Sequence, residues 1–369
     1  MRSYLYFAFP LFSLWDFYFF QYGRIFDYLG LIAIIIYYLL TVKKMPTIVP
    51  RVSQFMMVNS IIFLPCAIIG IYNEQLITVA AFLVGAYLVF PFFCAGMRKI
   101  DYNKFIKWYN SILVVHLFFF FLQFFSYYLF NYVIDYHAYS GLIGARTFNE
   151  ELLFFRASGL FQEPNSYCVT IYLLLFIRAL FSKKPFDLIA LISLTSIFLS
   201  ESLWGYGALL VYCSLFSSTA KSRIIMLMVF IVVGMAVLLI PDLVGLIISP
   251  TTVIRLSDVS GDPSAEGRYM AGQERGYLSD FVVGHGISTY GFQWIFGANA
   301  LGFYVSSFGI IGLILWFLSL YNLVPSSKIT FLIGVIFAMT TYPLFTYMFW
   351  WAWIGMATGI DRAKLESNV

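Results

Sequence analysis

Residues 108–134 read WYNSILVVHLFFFFLQFFSYYLFNYVI, a run without a single Asp, Glu, Lys or Arg. The run is longer than the roughly 20 apolar residues that an α-helix needs to cross the hydrocarbon core of a bilayer. Inside lipid each backbone N–H and C=O has to be paired within the segment, as a helix does. The stretch therefore predicts a membrane-spanning α-helix.

The composition of the whole chain supports the same interpretation. Of its 369 residues, 61% are hydrophobic and only 11% are charged, against about 25% charged in an ordinary soluble domain. A single soluble core stops growing before it can hide so much apolar surface. The net charge of +4 is too small to indicate a nucleic-acid partner. Lipid therefore has to be the solvent for much of the chain.

Similar apolar runs recur along the chain and predict an all-α, polytopic transmembrane bundle of about 11–12 spans. They lie near residues 3–22, 25–42, 53–72, 75–95, 108–134, 166–182, 186–200, 202–219, 224–240, 299–320 and 328–358. The last run is long enough for two short helices, and we expect a break at Pro343. The first run begins almost at Met1 without a small-residue cleavage site after it, so it is predicted to be an uncleaved anchor.

Basic residues alternate between the loops and predict the orientation, because cytoplasmic loops are enriched in Lys and Arg. Those assigned to the inside are Lys43, Lys44, Arg51, Arg98, Lys99, Lys104, Lys107, Lys183, Lys184, Lys221, Arg223, Lys328, Arg362 and Lys364. Both termini are then cytoplasmic, and the number of spans is even.

This topology divides the chain into five segments. Residues 1–134 hold the N-terminal helices, 135–165 a first extracytoplasmic loop, 166–240 the central helices, 241–298 a large second extracytoplasmic loop, and 299–369 the C-terminal helices with a short cytoplasmic tail. Loops longer than about 15 residues are usually functional or disordered. We therefore expect the chemistry in the two outer loops.

The basic residues of these outer loops are all arginine. They are Arg146, Arg156, Arg255, Arg268 and Arg275. The planar guanidinium group stays charged and can donate two parallel hydrogen bonds to a phosphate. The pattern therefore indicates a phosphate ligand. The alternative is that the arginines only stabilise the loops by forming ion pairs with neighbouring acidic residues, namely Glu150, Glu151, Glu266, Glu274 and Asp280.

Residues 156–165, RASGLFQEPN, resemble the Arg-x-x-Gly-x-Phe-x-Glu-Pro signature of bacterial O-antigen polymerases, the Wzy family. In that family the signature lies in an extracytoplasmic loop directly before a membrane helix. Arg268 and Gly284, with fifteen residues between them, are similar to the family's Arg-x15-Gly element. The run from Phe308 to Leu313 resembles the re-entry helix of O-antigen polymerases and ligases. The resemblance covers roughly residues 140–320.

The chain departs from the pattern of these families in two places. Where the polymerases often have Ser-x-Ser-Arg, it reads Ser200, Glu201, Ser202 and Leu203. Where the ligases usually have a His-Asn pair, Ala298 precedes Asn299. The missing histidine favours a polymerase over a ligase and leaves the general base open.

The resemblance implies transfer of a growing glycan from undecaprenyl pyrophosphate to a hydroxyl of the next lipid-linked repeat unit, at the outer face of the bacterial cytoplasmic membrane. Fixed guanidinium groups can stabilise the charge that develops on the departing pyrophosphate without a metal or cofactor. Arg156, Arg268 and Arg275 are expected to hold this group. His285 or Glu163 would orient or deprotonate the hydroxyl, and a one-step displacement would invert the anomeric carbon.

Further loop residues are expected to bind substrate. They are Arg146, Arg255, Gly159, Asn165, Gly284, Tyr269, Tyr277, Tyr290 and Asn299. The loop tyrosines and Phe161 are candidates for stacking on sugars. Two alternatives stay open: Glu163 as an ion-pair partner of Arg156, and His285 as an ordinary turn residue. His116 and the four cysteines are predicted to pack among apolar side chains.

Two other functions remain possible from the sequence. The first is an O-antigen ligase, which moves finished glycan to another acceptor; the second is a non-enzymatic flippase of lipid-linked oligosaccharide. Transporters tend to have internal repeats and charges near the bilayer midplane, and neither is evident here. The expected partners are the lipid-linked donor and acceptor and membrane lipid, with a chain-length regulator protein left open and nucleic acid excluded.

Overall fold

The computed structural model describes residues 50–97, 102–136, 148–149, 154–182, 184–217, 228, 278–287, 300–341 and 348–367. The backbone in these ranges is almost entirely helical. Five helices in them are long and apolar enough to cross a membrane: Pro50–Tyr72, Thr78–Gly96, Phe105–Phe130, Pro164–Phe181 and Ala300–Tyr321. They are compatible with the predicted multi-pass helical membrane protein. The runs predicted near 3–22, 25–42 and 224–240 lie outside the described residues.

The chain divides into two compact units. The described elements of the first are α4 (Tyr102–Phe130), β1 (Phe148–Asn149), β2 (Phe154–Phe155), α5 (Pro164–Phe181), α6 (Leu188–Leu199) and α7 (Leu203–Phe216). The two strands pair antiparallel, with Phe148 opposite Phe155. Helix α5 is buried along nearly its whole length and packs against α6 and α7, so it forms the centre of this unit.

The second unit contains α1 (Pro50–Tyr72), α2 (Leu76–Val84), a π-helical turn (Gly85–Val89), α3 (Phe90–Met97), α8 (Leu278–Val283), α9 (Ala300–Tyr321), a 3₁₀ turn (Pro325–Ser327), α10 (Lys328–Ala338) and α11 (Met348–Ser367). Helix α11 packs against α3 and the π-helical turn. Gly85 lets the two approach closely, because a Cβ there would overlap the indole ring of Trp351. The buried Trp350 and Trp353 stack at 5.4 Å beside this contact.

The predicted spans agree with the helices in most of the described ranges. Two of them, 186–200 and 202–219, form the shorter helices α6 and α7. At 1.5 Å per residue, the 12 residues of α6 and 14 of α7 span about 18 and 21 Å, less than the roughly 30 Å of a hydrocarbon core. The run 328–358 forms two helices, as expected. Their break falls between Ala338 and Met348, and Pro343 itself lies outside the described residues.

Candidate functional site

The Arg156 loop, residues 154–163, runs down the side of α4 instead of extending beyond its end. Tyr128 donates a hydrogen bond from its hydroxyl to the carbonyl of Phe155 at 3.1 Å, and Phe161 stacks on His116 with ring centroids 5.4 Å apart. Tyr128 and His116 are 12 residues apart on α4, so the loop descends about 18 Å. Part of the predicted outer loop is therefore packed into the unit.

Apolar burial explains this descent. Phe155, Ala157, Leu160 and Phe161 are all buried in the loop, and removing such side chains from water is favourable in proportion to their area. Phe161 is only 1% exposed, so the prediction that it stacks on sugars is wrong. The prediction that His116 is a packing residue is confirmed, since it is 1% exposed against the Phe161 ring.

Gln123 on α4 fixes the middle of the loop. Its Oε1 accepts hydrogen bonds from the amides of Ser158 at 2.8 Å and Gly159 at 2.9 Å. Its Nε2 donates to the carbonyl of Ile134 at 2.8 Å. The sequence interpretation did not include Gln123, because a glutamine in an apolar run gives no local sign of what it binds.

Gly159 occupies a backbone conformation that favours glycine. Its φ is +58°, and a Cβ there would lie 3.4 Å from the amide nitrogen of Phe120. Ser158 closes the same turn, with its hydroxyl donating to the carbonyl of Phe161 at 2.6 Å. A side chain would make only ordinary contact with α4 at that distance, so the structural role of the glycine predicted to bind substrate is the positive φ of the turn.

Glu163 and Pro164 begin α5. Glu163 is extended (φ −131°, ψ 143°) and Pro164 takes the first helical position, where a missing N–H costs nothing. The Glu163 carbonyl accepts the amide of Tyr167 at 3.2 Å, while its carboxylate makes no capping hydrogen bond. Arg156, Glu163 and Asn165 are all half-buried, so each keeps part of its surface open.

A second segment, the turn Ser200–Ser202 between α6 and α7, packs against α5 at Cys168. The Cys168 sulfur lies 2.9 Å from the hydroxyl oxygen of Ser200. Glu201, in the middle of the turn, is half-buried. From the sequence alone, this stretch stands out only as a departure from the family pattern.

The turn lies below the start of α5. Tyr167 donates a 2.6 Å hydrogen bond to the hydroxyl of Ser196, and Cys168 on the fifth residue of α5 contacts Ser200. The short helices α6 and α7 thus place the turn one helical turn inside the unit. Arg156 and Glu201 are each half-buried, and charges that are partly removed from water interact more strongly.

Gly284 and His285 belong to the second unit, in a segment that follows α8 and packs on α9. The amides of His285 and Gly286 donate to the carbonyls of Ser306 at 2.9 Å and Ser307 at 3.0 Å. His285 is half-buried, with Nδ1 3.1 Å from the carbonyl oxygen of Gly286. These two hydrogen bonds therefore fix the backbone of His285 against α9, which is long enough to cross a membrane.

Helix α9 is interrupted where this segment meets it. Gly309 has φ 71° and ψ 170°, outside the helical region. A Cβ on Gly284 would fall 2.5 Å from the amide nitrogen of Gly309, and a Cβ on Gly309 would overlap the carbonyl oxygen of Val282. Close packing of α8 on α9 thus requires glycine at both positions.

Several predicted site residues lie outside the described residues. They are Arg146, Arg255, Arg268, Arg275, Tyr269, Tyr277, Tyr290 and Asn299. Of the remainder, Arg156, Gly159, Glu163 and Asn165 lie together on one segment of the first unit, and Gly284 and His285 on one segment of the second. Within the described ranges no three His, Cys, Asp or Glu side chains form a potential metal site.

The four cysteines, Cys66, Cys94, Cys168 and Cys213, are buried and unbridged, which confirms their packing role. Comparison of the chain with models of known protein families gives no match. Comparison with curated proteins gives no match either. The function therefore has to be inferred from the residues of the chain itself.

Proposed function

We propose that this chain is a polysaccharide polymerase of the O-antigen type. It would transfer a growing glycan from undecaprenyl pyrophosphate to the next lipid-linked repeat unit, with inversion and without a metal, at the outer face of a bacterial cytoplasmic membrane. The product would be O-antigen or a related surface polysaccharide. The observation that carries the proposal is the way the Arg156 loop is built.

Three of the five fixed positions in the signature around Arg156 have a separate structural task. Gly159 allows the positive φ of the turn, Phe161 anchors the loop on His116, and Pro164 starts α5. None of these tasks is chemical. Together they hold Arg156 half-buried in the unit, and a guanidinium fixed in this way can stabilise charge with little reorganisation.

In the proposed reaction the acceptor hydroxyl oxygen bonds to the anomeric carbon of the donor glycan. The bond from that carbon to the pyrophosphate oxygen breaks, and its electron pair leaves with the pyrophosphate. Arg156 would bind the departing oxygens through two parallel N–H donors. The contributions of Arg268, Arg275 and His285 stay predictions from the sequence, each testable by its own substitution.

The test is reconstitution of the purified protein with one defined undecaprenyl pyrophosphate-linked repeat unit, separated on a gel in the presence of a metal chelator. We expect a ladder from the wild type. Arg156→Lys keeps the charge but loses the two-pronged geometry, so it should reduce chain growth, and Arg156→Ala should leave single repeats. The matched control is Arg51→Lys, at an exposed arginine of α1. A full ladder from Arg156→Ala would end the proposal.

A lipid-linked oligosaccharide transporter is the second candidate, and the break in α9 favours it. Transporters bind substrates or ions at the exposed backbone of discontinuous helices. In this chain, however, the carbonyls of Ser306 and Ser307 beside the break already accept hydrogen bonds from the amides of His285 and Gly286. A transporter would give no ladder but would move the lipid-linked repeat between the leaflets of a vesicle. A ligase would consume the donor only after a lipid A core acceptor is added.

A further inference from the structure

We propose that Tyr128 is a positioning residue of this polymerase: its hydroxyl fixes Phe155, and through Phe155 it sets where the guanidinium of Arg156 stands. The inference rests on the proposed function and adds to it the contact that orients the arginine. Its basis is the hydrogen bond of 3.1 Å from the hydroxyl of Tyr128 to the carbonyl of Phe155, the residue directly before Arg156.

Phe155 is held by three separate contacts. Its carbonyl accepts the hydroxyl of Tyr128. Its ring stacks on Tyr127, with centroids 4.6 Å apart and an angle of 26° between the planes. Its backbone pairs with Phe148 in the two-stranded sheet. Tyr127 and Tyr128 are neighbours near the C-terminal end of α4, so the same turn of this helix contacts both the ring and the backbone of the residue before Arg156.

The chain is fixed a second time directly after Arg156. Gln123 accepts the amides of Ser158 at 2.8 Å and Gly159 at 2.9 Å. Between the two fixed points lie only Arg156 and Ala157, and the side chain of Ala157 is fully buried. The backbone of the arginine is therefore held to α4 from both sides, by one hydrogen-bonding side chain before it and another after it.

The two fixed points leave the backbone of Arg156 little slack. Gln123 and Tyr128 are five residues apart on α4, which is about 7.5 Å along the helix axis. From Phe155 to Ser158 the chain takes three steps and can extend over about 10 Å at most. Because the available length exceeds the axial distance so little, a shift of Phe155 is passed on to Arg156 instead of being absorbed by the chain between the two points.

The hydroxyl of Tyr128 carries this contact, and its ring does not. The side chain is 46% exposed, so its ring contributes less apolar burial than a core residue would. The ring lies against Phe124 and Tyr127 of its own helix, whereas the hydroxyl reaches across to the loop. Replacing Tyr128 by phenylalanine therefore removes the hydrogen bond to the Arg156 loop and leaves the packing of the ring on α4.

The proposed reaction depends on the exact position of Arg156. Negative charge develops on the departing pyrophosphate oxygen, and two parallel N–H donors stabilise it only where they point at that oxygen. A catalytic group that is misplaced by about 1 Å can lose about 10²-fold in rate. Tyr128 acts on the reaction through this geometry alone, and it exchanges no proton with either substrate.

The test is a double-mutant cycle with Arg156, read as the rate of the first glycan transfer at saturating lipid-linked repeat unit. Tyr128→Phe should lower this rate by about 10- to 10²-fold when Arg156 is present. Arg156→Lys has already lost the two-pronged geometry. In that background Tyr128→Phe should change the rate by less than about twofold, because residues coupled through one contact have non-additive effects. A residue that only stabilises the fold would lower both rates by the same factor.

Tyr136→Phe is the matched control, because it removes a tyrosine hydroxyl that donates to a carbonyl of α4 itself, that of Phe119 at 3.3 Å. All rates are measured well below the unfolding temperatures of the variants, so that each protein is folded.

The outcomes separate this inference from the proposed function. If Tyr128→Phe behaves like Tyr136→Phe, or lowers the rate by the same factor with and without Arg156→Lys, the role of Tyr128 is overturned and the polymerase proposal stands on the ladder of the wild type. A wild type that makes no product from the defined donor would overturn the polymerase proposal, and the role of Tyr128 with it.

Discussion

Gln123 is the residue on which the shape of the Arg156 loop most depends. Its single side chain pairs two loop amides and one carbonyl, all away from bulk water. A buried N–H that loses its acceptor costs about 1–3 kcal/mol. The position of the Arg156 loop therefore depends on the hydrogen bonds of one side chain of α4.

Replacing Gln123 by methionine should unfold the loop while preserving side-chain volume. We expect a lower unfolding temperature and a strong loss of polymer, because the amides of Ser158 and Gly159 lose their acceptor. Thermal unfolding in detergent and the gel ladder measure the two effects.

Gln75→Met is the matched control for this substitution. Gln75 precedes α2 without a side-chain capping bond, and its side-chain amide donates a long, exposed hydrogen bond to the carbonyl of Asn73 at 3.5 Å. We expect little change in either measurement. If Gln123→Met behaves like Gln75→Met, the loop does not depend on Gln123.

At the scale of the element, the junction between α5 and α6 is held by an ion pair. Arg178 near the end of α5 pairs with Asp187, and its Nε donates to Asn110 of α4 at 2.7 Å. Asp187 also caps α6 by accepting the amide of Ala190 at 3.0 Å. Burial raises the pKa of the Asp187 carboxyl, but the hydrogen bonds and charge of Arg178 and the amide of Ala190 outweigh it and hold the pKa below its ordinary value.

This shift predicts how stability depends on pH. A carboxyl whose pKa falls on folding contributes fully above its unfolded pKa of about 3.9, and the contribution is lost as the pH falls through the lower folded pKa. Asp187→Asn keeps a good helix cap but removes the charge. Its unfolding temperature should lie below that of the wild type at pH 7, and the gap should narrow below about pH 4.

The control is Glu74→Gln, at an exposed carboxyl beyond the end of α1. Its effect on the unfolding temperature should be small at both pH values, since an exposed charge contributes little to stability. A gap for Asp187→Asn that stays constant from pH 7 to pH 3 would contradict the role of the ion pair.

The interruption of α9 leads to a prediction about the segment that carries His285. Gly309→Ala would place a Cβ against the carbonyl of Val282 and would strain a backbone at φ 71°. We expect α9 to straighten and release the segment, because the two cannot keep their contact. Hydrogen exchange at the amides of His285 and Gly286, which are bonded to α9 in the wild type, should then speed up.

Ile311→Ala, two residues away at a side chain that is 52% exposed, is the control for this experiment. It should leave the exchange of both amides slow. Equal exchange in Gly309→Ala and the wild type would mean that the glycine is not needed for the contact.

At the scale of the whole molecule, the proposed function requires that the Arg156 loop face away from the cytoplasm. The four native cysteines are buried, so a single introduced cysteine is the site that a membrane-impermeant thiol reagent can reach. Tyr132→Cys, after α4, should be labelled from outside intact cells. Lys184→Cys, after α5, should be labelled only once the cells are opened; both positions are exposed.

Both variants have the same background and similar exposure, so each is a control for the other. The expected pattern follows from the positive-inside rule. The reverse pattern would place Arg156 in the cytoplasm, where the proposed donor would not present its glycan, and would end the polymerase proposal.

Local sequence determined the helical class and most helix positions, because an apolar run long enough to cross lipid has no other way to pair its backbone. It also determined the start of α5, since Pro164 fixes its own backbone angle. The same applies to the division of the run 328–358 into two helices and to the packing role of His116 and the cysteines.

Only the tertiary structure decided how the Arg156 loop is held and what lies beside it. Gln123 binds amides 35 and 36 positions along the chain, and no local pattern encodes such a partner. The depth of the Glu201 turn follows from the contact of α6 and α7 with α5, and the break at Gly309 from the approach of α8. These features arise when segments distant in sequence compete for the same space and the same hydrogen bonds, which happens only in the folded chain.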